Sequence, residues 1–217
     1  MLNVLGLQSC NLCDLCGSNY GKEGYPPQYH APTQKVEGWG ELPCDILFLA
    51  EAPGEHEDKQ GIPFVGDSGK LLRAMITEAG LDKLRLFITN TARCRPPRNR
   101  KPTPQEVETC SLWTGLELEA AAPKVIVCLG ATAVSYFLPK RKLKGKVGDY
   151  VGKMFSGMAV NLPDSEQPCL VFGCYHPAAR DAKQRATIPL VLCQVATLFG
   201  IEAEHSEEAT DYQLLRL

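Results

Sequence analysis

No stretch of this 217-residue chain approaches the ~20 apolar residues of a membrane-spanning helix. The first ten residues, MLNVLGLQSC, lack the basic region and the long apolar run of a signal peptide. Charge of one sign is also scarce: 23 Lys and Arg face 25 Asp and Glu, a net charge of −2. That balance does not advertise a nucleic-acid partner, but a local basic patch can act where the total does not. No G-x-G-x-x-G occurs. The one approach to a phosphate loop, at Gly69-Lys70, has Phe64 for its first glycine and Leu71 for its Ser/Thr. Gly66 and Gly69 are therefore assigned to shaping the approach to a helix. Internal repeats are absent too. With 44% apolar and 22% charged residues, the chain is neither wholly disordered, collagenous nor a long coiled coil.

Cysteine, in contrast, is abundant: there are ten. Without an export signal the chain is expected to be soluble and intracellular, in the cytoplasm, where thiols stay reduced. The cysteines then call for burial, a metal or a cluster. Cys44, Cys128, Cys169, Cys174 and Cys193 lie in or beside apolar segments and read as small buried hydrophobes. Cys10-x-x-Cys13 and Cys13-x-x-Cys16 are alternative close pairs. Together with Cys94 and Cys110, two N-terminal thiolates would complete a four-cysteine site, suited to zinc or to an iron–sulfur cluster.

Apolar runs at 45–50, 86–90, 125–129 and 170–175 read as strands. Helices are expected over 68–79, from the Thr103-Pro104-Gln105-Glu106 capping box to about 121, from 130 through 137, and over 189–199. Strands alternating with helices predict an α/β fold: three layers, α/β/α, around a mostly parallel sheet, with an irregular N-terminal segment. One domain over 1–200 and an acidic tail over 201–217 are expected, as a monomer.

Ligands of open α/β sheets bind beyond the carboxyl ends of the strands. Glu51 to Asp58, Asn90 and His176 all fall there. Two basic groups stand out: Arg93, Arg95, Arg98, Arg100 and Lys101, and Lys140, Arg141, Lys142, Lys144 and Lys146. Such runs are usually solvated faces, but the first surrounds Cys94, where a phosphate contact would be well anchored.

The segments CNLC, EAPGEHEDKQGIPFVGDSGKLL, ITNTARCRPPRNRKPTPQEVETC, APKVIVCLGATA and YHPA together resemble the iron–sulfur uracil-DNA glycosylases, family 4 of that superfamily, from roughly Cys10 to Pro177. The resemblance implies excision of uracil from DNA, a [4Fe–4S] cluster on Cys10, Cys13, Cys94 and Cys110, and stacking of Phe64 on an extruded base. It implies that Asn90 reads the base edge and that His176 contacts the departing base. It places Glu51, Ala52, Gly54 and Asp58 in the motif for the catalytic water and base contacts. Where the family commonly carries a bulky apolar wedge, this chain has Ala179-Arg180-Asp181, so either the duplex is not penetrated there or Arg180 does it. Arg95, Arg98 and Arg100 are the expected phosphate contacts.

These roles suit the residues. A base within a duplex must be extruded before its glycosidic bond can be reached. An aromatic face binds any flat base, at roughly 1–3 kcal/mol. The Asn90 amide can donate to uracil O4 and accept from N3–H, a pattern cytosine does not match, and an imidazole can stabilise charge on the leaving base. No lysine nucleophile is evident, so hydrolysis without strand cleavage is expected. Two other readings are a noncatalytic DNA-binding or interaction protein that keeps the fold, and a glycosylase for another modified base.

Overall fold

Ile46–Ala50 and Val125–Leu129 are apolar at every position, so strands made from them need cover on both faces. In the computed structural model, which describes residues 6–16, 34–137, 151, 154–156, 169–202 and 214–216, both are central in a seven-stranded sheet and buried throughout. The elements are β1 (Trp39–Gly40), β2 (Ile46–Ala50), α1 (Glu55–Gln60), α2 (Asp67–Glu78), β3 (Leu86–Asn90), α3 (Pro104–Ala121), β4 (Val125–Leu129), α4 (Ala131–Phe137), β5 (Met154–Ser156), β6 (Leu170–Cys174), α5 (Ala182–Leu198) and β7 (Leu214–Arg216).

The strand order is β1-β3-β2-β4-β6-β5-β7. Strands β3, β2, β4 and β6 run parallel, with Ile46 opposite both Leu86 and Val125. β1 and β5 add antiparallel at the two sides of this parallel core, and β7 lies parallel to β5. Alternation of side chains sorts the core into two faces. Ile46, Phe48, Val125, Val127 and Phe172 pack with Leu72 and Ile76 of α2 and with Ile188, Val191, Leu192 and Val195 of α5. Leu47, Leu49, Ile126, Cys128 and Val171 pack with Leu118 and Ala121 of α3 and with Val134 and Phe137 of α4. The expected α/β/α layering is thus formed.

The Thr103 capping box forms as its sequence predicts: the Glu106 amide donates to Thr103 Oγ1 (3.2 Å), and the Thr103 amide donates to Glu106 Oε2 (2.7 Å). The N-terminal segment is held by two leucines. Leu7 packs with Cys110 and Trp113, and Leu15 with Ala92 and Cys94. Each fully buried leucine contributes roughly 1.5–3 kcal/mol.

Two expectations are corrected. The last helix begins at Ala182, not Pro189. Asp181 caps it, its Oδ1 accepting from the Lys183 amide at 2.8 Å, and Pro189 lies inside. The segment after Pro53-Gly54 is not all loop, because residues 55–60 form α1. Of the acidic tail, Glu204, Glu207, Glu208 and Asp211 lie outside the described residues, as does the second basic group at 140–146. Among the described residues no helix is long and apolar enough to cross a membrane.

Connectivity creates the site. From β2 the chain passes through α2 to β3 on one side of it, then through α3 to β4 on the other. The helices following β2 and β4 lie on opposite faces, so a crevice opens between the carboxyl ends of these neighbours.

Candidate active site

A cleft of about 610 Å³ occupies that crevice. Its lining includes Glu51 and Ala52 after β2, Phe64 before α2, Asn90 at the end of β3, Gly130 and Ala131 after β4, and His176 after β6. Phe64, Asn90, His176, Glu51, Ala52 and Gly54 are therefore brought together as expected. Asp58 is not among them. It is 4% exposed on α1, and the carboxylates lining the cleft are Glu51, Glu55, Glu57 and Asp67. Gly54, Glu55, His56 and Glu57 line the cleft, whereas Asp58, the next residue, is buried and does not.

Glu57 joins the two loops that form one wall. Its Oε2 accepts from the Gly54 amide (3.1 Å) and its Oε1 from the Gly66 amide (2.7 Å). Between these anchors Phe64 has φ +58°, a left-handed conformation rare for an aromatic residue. Gly69 permits it, because a Cβ there would lie 1.8 Å from the Phe64 carbonyl oxygen. The Phe64 and His176 rings face the cleft with centroids 6.1 Å apart, inclined by 33°.

The Ala178 amide donates to His176 Nδ1 at 3.1 Å. The neutral ring therefore carries its proton on Nε2, available as a donor. Burial lowers the His176 pKa below the usual value, with Glu51 and Glu57 opposing it. Glu51 is held at one oxygen: Thr132 Oγ1 donates to its Oε2 at 2.5 Å. Its main-chain carbonyl accepts from Thr91 Oγ1 at 2.6 Å, which fixes the loop after β2. Asn90 is 3% exposed, and among the described residues no hydrogen bond engages its side-chain amide. Thr132 and Glu57 escaped the sequence reading, although each sits within a segment it singled out.

The basic loop forms the rim through Pro96, Asn99, Arg100 and Lys101. Its arginines have internal partners. Arg95 pairs with Glu55 (3.2 Å) and donates to Asn99 Oδ1 (2.7 Å); Arg100 holds Glu106 with two bonds of 2.7 and 2.8 Å. Arg98 and Arg180 are exposed, and neither lines the cleft. Arg93 is buried rather than part of the basic surface.

Cys10, Cys13, Cys16, Cys94 and Cys110 line one small cavity beside α3. The Trp113 Nε1–H donates to Cys10 Sγ, and the Arg93 amide to Cys110 Sγ, both at 3.3 Å. Such donors suit sulfur that carries negative charge. Burial pushes the Cys94 thiol up to about 12, with Cys110, Cys13 and Cys10 raising it further, and burial also raises Cys13 and Cys110. A bound cation reverses that preference by favouring thiolates. Among the described residues no three Cys, His or carboxylate side chains close on one point as a single ion requires. Cys44, Cys128, Cys169, Cys174 and Cys193 are buried, as expected of small hydrophobes.

An aromatic face, a buried amide, an imidazole donor and a tethered carboxylate meet at a parallel-sheet crevice, a combination suited to a flat, polar-edged heterocycle. Comparison with known proteins gives this class its family. Residues 37–192 match the sequence profile of the uracil DNA glycosylase superfamily. A type-4 uracil-DNA glycosylase of Archaeoglobus fulgidus is 38% identical over 186 residues, covering 81% of this chain and 80% of that protein. Proteins of the same name from Sulfurisphaera tokodaii and Saccharolobus solfataricus are 41% and 40% identical, covering 68% and 66% of this chain and 66% and 65% of their own lengths. The chain belongs to the uracil DNA glycosylase superfamily.

Proposed function

We propose that this protein is a monofunctional DNA glycosylase that hydrolyses the N-glycosidic bond of uracil in DNA, the first step of base excision repair. The observation that carries this reading is the meeting of Phe64, Asn90, His176 and Glu51 in one cleft. An extruded uracil stacks on Phe64, and the Asn90 amide pairs with O4 and N3–H. Any base lacking that pattern leaves buried polar groups unpaired, at about 1–3 kcal/mol each. His176 donates its Nε2–H to the carbonyl on which charge gathers as the base departs. Glu51, one oxygen fixed by Thr132, has the other for orienting water, and its charge favours the cation-like sugar. Asp58 does not line the cleft and is assigned no direct contact with the base or the water.

The cysteine cavity suits a [4Fe–4S] cluster on Cys10, Cys13, Cys94 and Cys110. Each of the four thiolates would bind its own iron, so they need not converge on one point as the ligands of a single ion do. The N–H donors to Cys10 and Cys110 suit sulfur bound to such a cluster. When bound, the cluster supplies a covalent tie between the N-terminal segment and the rim loop. Contacts of Arg95, Arg98, Arg100 and Arg180 with DNA, one glycosylase unit over 1–200 with a tail beyond, and a monomeric, intracellular state complete the proposal.

The test is incubation with single- and double-stranded oligonucleotides containing uracil, then alkaline cleavage at abasic sites. Uracil strands should be cut only after alkali, and borohydride should trap no adduct although Lys101 lines the cleft. Intact uracil strands after alkali would overturn the reading. Binding without excision would favour the noncatalytic reading, and excision of another base alone would redirect the specificity.

A further inference from the structure

Arg93 is 1% exposed, in a loop whose neighbouring basic residues reach the surface. Its Nη1 donates to the main-chain carbonyl of Asn90. Its Nη2 donates to Glu117 Oε2 (2.7 Å) and Thr114 Oγ1 (3.2 Å), both on α3. Glu117, 0% exposed, also accepts from the Gly38 amide at 2.8 Å and from Thr89 Oγ1, beside Asn90 in β3. The Arg93 amide donates to Cys110 Sγ, and Cys94 is the next residue. Among the described residues its buried Nε has no partner. The guanidinium is thus placed for its outer nitrogens, with one donor sacrificed.

We propose that Arg93, clamped by Glu117, is a positioning residue joining the cysteine site to Asn90, so that filling the cysteine site and seating a uracil base are thermodynamically linked. The inference rests on the function proposed above. The path is short and physical: Cys110 sulfur to the Arg93 amide, Arg93 guanidinium to the Asn90 carbonyl, Asn90 side chain to the base. Movement of the sulfur moves the peptide that bears the guanidinium, and the carbonyl that receives it belongs to the base reader. Linkage is reciprocal: if a filled site improves base binding, a bound base must retain the metal better.

The test measures iron loss from the metal-loaded protein to a chelator, followed by visible absorbance. It compares a saturating oligonucleotide containing 2′-fluoro-2′-deoxyuridine, whose glycosidic bond resists hydrolysis, with its 2′-fluoro-2′-deoxycytidine counterpart. In the parent, the uracil strand should slow iron loss by roughly fivefold or more beyond the cytosine strand. Arg93→Lys keeps the positive charge beside Glu117 but lacks the planar donor pair, and should abolish the difference while iron content stays normal. Thr114→Val, which removes one acceptor of the guanidinium, should reduce it and decides the matter if Arg93→Lys does not fold. A purely structural ion pair predicts lower melting temperatures with the uracil effect intact, and that result overturns the proposal. So does a parent that excises uracil yet shows no uracil-specific protection. A parent that neither excises nor binds uracil overturns the functional reading, and the linkage with it.

Discussion

Two carboxylates flank β2, one at each end. Asp45 precedes the strand and takes four donors: the Arg85 amide, Arg85 Nε and Nη2, and Lys124 Nζ, at 2.8–3.2 Å. These bonds, led by the arginine, hold its pKa well below the usual carboxylate range. Glu51 follows the strand and takes one side-chain donor, Thr132, with the rest of its carboxylate beside an open cleft. A saturated carboxylate fixes structure and has no valence left for a substrate. A half-saturated one is oriented but still receptive. The difference between the ends of one strand lies in how many donors each carboxylate already has.

The comparison breaks most sharply with Glu51→Gln. Single-turnover excision should fall by roughly 10²–10⁴-fold, the range for a positioned acid or base, with the melting temperature little changed. Parent-like excision in this variant would place water activation elsewhere. Asn90→Asp should also lower uracil excision by orders of magnitude, since an acceptor would then face O4, and little cytosine activity should replace it because a buried carboxylate is costly. Asp45→Asn should behave oppositely to Glu51→Gln. It should lose about 1–2 kcal/mol in a urea titration, because Arg85 and Lys124 are partly solvated, with excision per folded molecule unchanged.

The pH dependences sharpen the contrast. Asp45 has a lowered folded pKa, so its stabilisation is full above about pH 3.9 and is lost as pH falls through the folded value. His176 is lowered by burial, so it binds its proton less readily when folded than unfolded. Its stabilisation is present above about pH 6.5 and declines as pH falls towards the folded value. His176→Ala should excise slowly at every pH, because the Nε2 donor is lost whatever the protonation state of the ring. The smallest effect is expected at Arg95. Because Glu55 already engages it, Arg95→Ala should flatten the salt dependence of DNA affinity by less than about one log–log unit.

The sheet was legible because β2 and β4 are unbroken apolar runs, and α3 because its cap is written in four consecutive residues. Phe64, Asn90, Glu51 and His176 were legible through strand ends and family motifs. Arg93 was misplaced with its basic neighbours because its partner Glu117 lies 24 residues away on α3, a distance no local pattern encodes. Glu57 was passed over for Asp58 because α1 is only six residues long, too short to display a helical period. The start of α5 was misread for a related reason. Proline commonly opens helices, and Pro189 outweighed the Asp181 cap.

The crevice between β2 and β4 is a seam left by the order in which the chain visits its strands. It exists because neighbouring strands send their helices to opposite faces. Its contents are therefore replaceable in a way that its position is not. Selection can exchange the residue that reads the base, or the group that orients water, one loop at a time, because each arrives on a separate strand end. Diversification of bases accepted at one unchanged address is the evolutionary pattern such a seam permits.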